Sequence, residues 1–214
     1  MKTNLSKSNN EAEHLEGYFS SMYLTIIALA QGIAVALLAV PFIESISSGS
    51  FDWSKYAISL VVVLAIWHHY MIGSIFTRWF PDIRDSLLPI ALVGSEIFMI
   101  ETTINKIPAT LWIHSIWVVA FIGCLAYANA GYRCDPILFS RLSLKDSERH
   151  CANIKITHGY YAATFCGVIS LLTLCLAIFE KVPEWYSKLM LLLFICHIIV
   201  FEIIYSFLVK PFFR

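Results

Sequence analysis

Residues 22–43 read MYLTIIALAQGIAVALLAVPFI, a run of 22 residues without a charged side chain. As a helix rising about 1.5 Å per residue it is about 33 Å long. That crosses a hydrocarbon core of about 30 Å. Five more apolar runs follow, at roughly 56–77, 86–104, 110–130, 159–180 and 186–209. The pattern predicts an all-α fold, a polytopic six-helix transmembrane bundle. Composition agrees: 58% of residues are hydrophobic and 14% charged, against about 45–50% and about 25% in soluble domains.

The flanks orient the bundle. A polar N-tail, residues 1–21, precedes the first run, which places that run too late for a cleaved signal peptide. The tail is expected to be partly disordered or to end as a surface helix. With six spans, the N-tail, the 78–85 loop, the 131–158 loop and the C-tail lie on one side. They hold eleven of the fifteen Lys and Arg residues, and the opposite loops hold Lys55, Lys106, Lys181 and Lys188. The positive-inside rule then puts both termini in the cytoplasm and the protein in the cytoplasmic membrane. A net charge of zero leaves no basic stripe for a nucleic acid. The lipid bilayer is the one partner that the composition demands.

The domain reading is a 1–21 tail followed by a 22–214 transmembrane domain. Within it, 131–158 forms a cytoplasmic amphipathic loop. Asp135-Pro136 suits a helix start. Ile137, Leu138, Phe139, Leu142 and Leu144, interleaved with Arg141 and Lys145, suit a helix lying on the inner leaflet. Ser147-Glu148 can start the fifth helix early, ahead of the membrane. Trp53, Tyr56, Trp112 and Trp117 read as an outer aromatic belt.

Helix contacts have small-residue signatures. Ala28, Gly32 and Ala36 make a ridge on helix one, and Ala163 and Gly167 repeat the spacing on helix five. Such ridges let helices approach closely in lipid, and the first is a candidate homo-oligomer face. The six cysteines include no CxxC pair and none in a predicted external loop. They read as small apolar packing residues.

The chemistry lies in ionisable residues inside the runs. Gln31, His68, His69, Glu96 and His197 fall near mid-membrane. Glu101 and His114 lie toward the outer side, and Glu202 toward the cytoplasm. A charge at the centre of a span costs roughly 2.5–3.5 kcal/mol, so these groups must be paired or neutral. His69 shares its helix stripe with Ala65 and Gly73, small neighbours that favour a packed interface. That predicts His69, not His68, facing inward and close to Glu96.

Three readings compete for this layer. Interhelical hydrogen bonding is the structural one. A proton or cation pathway, or a membrane-embedded sensor, would use Glu96, His69, Glu101, Gln31, His197 and Glu202. A metal or haem site in a membrane redox protein would draw on His69, His197 and Glu96, because His is the commonest metal ligand. The residues specify no particular cofactor. A structural subunit of a membrane complex is the fourth possibility. No P-loop, nucleophile elbow or zincin motif is present, so enzyme chemistry is not indicated.

Trp67-His68-His69, in a six-span chain of this size, is similar to the six-helix potassium channels with a hydrophobic filter. Those channels carry Phe-Ser-Asp-Gly in helix one. The comparable stretch here, Phe19-Ser20-Ser21-Met22, lacks the Asp and the Gly, so the resemblance assigns no family.

Overall fold

The computed structural model describes residues 2–48, 52–76, 83–105, 107–131, 147–178 and 184–209. They form six helices and, among the described residues, no strand. The helices are α1 (Lys2–Ser48), α2 (Trp53–Phe76), α3 (Ile83–Ile104), α4 (Ala109–Gly131), α5 (Ser147–Ile178) and α6 (Glu184–Val209). Each covers all or nearly all of one of the six apolar runs. Five are long and apolar enough to cross a membrane, through Leu24–Glu44, Leu87–Ile104, Ala109–Asn129, His158–Ile178 and Trp185–Ile204. The expected sixth, α2, has 24 residues but is not among the five.

Two helices extend beyond their apolar runs. The N-tail is helical from Lys2 and continuous with the first span, where partial disorder or a surface helix was expected. α5 begins at Ser147, well before its apolar run, as the Ser147-Glu148 signal allows. The expected surface helix from Pro136, with Arg141 and Lys145, lies outside the described residues.

The exterior is apolar. Leu29, Ile90, Leu171 and Ile178 are each 64–68% exposed. A water-soluble surface does not carry so much contiguous apolar area, whereas lipid tails match it. Among its described side chains, α1 buries a narrow stripe, Ile27, Gln31, Ala34 and Leu38. Those spacings of four, three and four follow one face of a 3.6-residue helix.

α4 is the centre of the bundle. It packs most extensively on α5 and next on α3, and it also meets α2 and α6; α1 lies against α2 and α3. Trp112, Ile113, Ile116, Trp117, Val119, Cys124 and Ala128 are all buried on it. Tyr56, Trp112 and Trp117 are therefore core residues, a correction to the aromatic belt, of which Trp53, 65% exposed, stays on the surface. The α4–α5 seam is tight because α5 supplies glycine. A Cβ at Gly159 would lie 2.7 Å from the Ala128 Cβ, and one at Gly167 would lie 3.2 Å from the Phe121 ring.

Hydroxyl groups tie α2, α3 and α4 together near the α3–α4 turn. Trp112 Nε1 donates to Ser59 Oγ at 3.4 Å, Ser59 and Thr103 hydroxyls meet at 2.8 Å, and Thr103 donates to the Met99 carbonyl at 2.8 Å. With the Thr103 proton used on Met99, Ser59 is the donor to Thr103. The chain of donors runs in one direction, so each bond polarises the next.

A cap starts α2. The Asp52 carboxylate accepts from Ser54 Oγ at 2.6 Å and from the Lys55 backbone N–H at 3.3 Å. Partial burial pulls the Asp52 pKa upward, but these hydrogen bonds and the Lys55 charge outweigh it and hold the carboxyl below its usual 3.8. Lys55 Nζ also sits 5.8 Å over the Trp112 ring, a cation–π distance.

Candidate functional site

The buried polar residues separate into local groups, each set by the helices that carry it. In the first, Glu96 of α3 is fully buried and faces α1. Gln31 Nε2 donates to both carboxyl oxygens, at 3.0 and 2.9 Å. Gln31 is itself 4% exposed, and its Oε1 has no hydrogen-bond partner among the described residues. The pair can therefore exist in two arrangements. An ionised Glu96 shares an N–H of Gln31 between its two oxygens. A protonated Glu96 can donate its O–H to Oε1 while accepting a single N–H. The orphaned Oε1 is the acceptor that the second arrangement uses.

In the second group, His69 of α2 reaches α6. Its Nε2 lies 2.8 Å from Glu202 Oε1, the length of a charge-assisted hydrogen bond. Phe201 stands edge-on to the imidazole at 5.3 Å and Tyr127 at 6.5 Å. His68 points outward and is exposed. The inward turn of His69 therefore accompanies a different partner from the one expected. His69 reaches toward α6 and Glu96 toward α1.

The third group was not legible. His197 of α6 points Nε2 at two thiols, Cys166 Sγ of α5 at 3.4 Å and Cys124 Sγ of α4 at 3.9 Å. The cysteines are 0% and 5% exposed. Phe165 stacks on the imidazole at 5.8 Å, and Trp117 lies 6.0 Å away. The three ligand atoms all lie within 4.8 Å of one another. Cys124 and Cys166, expected as packing residues, thus face His197, and the neighbours of the His197 Nε2 are these thiols rather than His69 or Glu96. The one sequence signal nearby was the Ala163–Gly167 ridge, which brings α5 close to α4 and carries Cys166 beside it.

His114 and Glu101 complete the set. His114 Nδ1 is 2.9 Å from the Ser170 carbonyl oxygen, an acceptor that places the ring proton on Nδ1. Glu101 is exposed and accepts from Asn105 Nδ2 of its own helical turn at 2.9 Å. It therefore stands outside the bundle rather than at the mouth of a pathway. Its position five residues after Glu96 turns it about 140° away.

No family model matches this chain, and no curated protein or solved structure matches it either.

Proposed function

We propose that this chain is a six-span protein of the cytoplasmic membrane, with both termini in the cytoplasm, that moves protons or another cation by loading and unloading buried carboxylates. The observation that carries the reading is Glu96. It is a fully buried carboxyl held by an amide whose Oε1 is unpartnered among the described residues. Structural glue would be served by a neutral amide pair. A carboxyl in that place costs roughly 2.5–3.5 kcal/mol whenever it is charged, and what it adds is a proton that can come and go. His69 and Glu202 form a second such pair nearer the cytoplasmic end of α6. The eleven-to-four Lys and Arg asymmetry supports the orientation, and α2 supplies the sixth span.

Purified protein in liposomes with an internal pH dye tests this. Under an imposed potential, wild-type vesicles should acidify faster than empty ones. Glu96→Gln should abolish the difference while leaving folding intact, because it keeps shape and hydrogen bonding and removes the exchangeable proton. Wild-type vesicles as tight as empty ones to protons and alkali cations would overturn the proposal.

A further inference from the structure

We propose that Cys124, Cys166 and His197 form an intramembrane binding site for one zinc(II) ion, fastening α4, α5 and α6 at a single point. The ligands come from three helices, so nothing local in the chain forces them together. They nevertheless converge, with Nε2 3.4 and 3.9 Å from the two sulfurs. Zinc bonds of about 2.3 Å to sulfur and about 2.0–2.1 Å to nitrogen, at a tetrahedral angle, put ligand atoms about 3.5 Å apart. The observed separations bracket that figure, so small side-chain adjustments bring all three ligands into bonding range of one ion.

Charge selects among thiophilic ions. Soft thiolates favour copper(I) and zinc(II) alike. Two thiolates, a neutral imidazole and zinc(II) sum to zero, whereas copper(I) leaves one negative charge. A charge at mid-span costs roughly 2.5–3.5 kcal/mol, and the aromatic wall of Trp117, Phe165 and Phe201 offers no counter-ion. Binding breaks the two S–H bonds, forms two metal–sulfur bonds and one metal–nitrogen bond, and releases two protons to solvent. The two-thiolate, one-imidazole set is one that zinc adopts with a non-protein fourth ligand. The inference is independent of the proton reading, since neither Glu96 nor Glu202 is a ligand.

The test uses the full chain carrying C134S, C151S, C175S and C196S, which removes the other thiols. Purified under reducing conditions and loaded with zinc, it should retain one metal per chain after desalting. Cobalt(II) in its place should give thiolate-to-metal charge-transfer absorption and tetrahedral visible bands. Cys124→Ser, Cys166→Ser and His197→Gln should each weaken retention on the order of 100-fold or more, since even changes around a metal's ligands cost about 10–100-fold. X-ray absorption at the zinc edge of the unsubstituted chain guards against variants that fail to fold, and should show two sulfur neighbours and one imidazole. Absence of a sulfur shell, unchanged retention in folded Cys124→Ser and Cys166→Ser proteins, or loading by copper(I) in preference to zinc would overturn the assignment.

Discussion

His69 and Glu202 hold each other at 2.8 Å across α2 and α6, and either residue alone would be left in an apolar setting. Removing one partner should therefore cost more than removing both. His69→Leu should destabilise the protein by about 2.5–3.5 kcal/mol if Glu202 stays charged, and adding Glu202→Leu should recover most of the loss. Denaturation of the four proteins of this cycle in micelles measures it; a double variant as unstable as the sum of the singles would remove the pair from the stability account. Asp52 gives a pH-dependent counterpart. Its folded pKa lies below the unfolded 3.8, so its contribution is present above pH 3.8 and fades as pH falls through the lower folded value. Asp52→Ala should cost about 1 kcal/mol at neutral pH through the lost cap. Asp52→Asn should keep the cap and abolish this part of the acid sensitivity, as read from unfolding midpoints between pH 3 and 7.

Among the elements, the α4–α5 contact is the least forgiving. Ala128 lies where a Gly159 side chain would go, and both belong to backbones that cannot retreat without separating the helices. Gly159→Ala should cost about 1–3 kcal/mol, the usual range for overpacking, and Gly159→Leu should prevent folding. Thermal unfolding in detergent would show the first, and a Gly159→Ala protein as stable as the parent would mean that the seam can open. Because Cys124 and Cys166 ride on the same seam, its loosening should also separate the thiols. The helices themselves were legible in sequence, since each is an uninterrupted apolar run with polar punctuation. Their lateral order was not. Glu96 and His69 could be assigned a shared depth from the runs alone, but which neighbour each faces depends on α1 and α6 lying on opposite sides. For the same reason the convergence of Cys124, Cys166 and His197 was hidden. It requires the register of three helices, and no periodicity within one helix encodes that.

For the molecule as a whole, the Ala28, Gly32 and Ala36 ridge is exposed, and a Cβ at Gly32 would meet nothing within 4 Å. Among the described residues the ridge is therefore not used, although the equivalent device on α5 is. Lipid covers such a face in a monomer, and a second copy would cover it in a dimer. The spacing favours the dimer. Gly32→Ile should leave monomer stability within about 0.5 kcal/mol, the usual range for surface positions, and shift cross-linked material in bilayers from dimer to monomer. Identical cross-linking in both proteins would assign the face to lipid. The orientation is checked separately: tags at Met1 and Arg214 should resist membrane-impermeant labels in intact cells, and labelling of either would invert or break the six-span topology.

α1 runs for 47 residues without interruption, about 70 Å at the usual helical rise. Its candidate span begins only at Leu24, so about 33 Å of rod precedes the bilayer. A stiff rod pivoting in a membrane is a lever. A push on its far end reappears, reversed in direction, at the buried end, where Gln31 is hooked to Glu96. Whatever grips the first turns of this chain would have a mechanical handle on Glu96, a carboxyl hidden completely among the described residues.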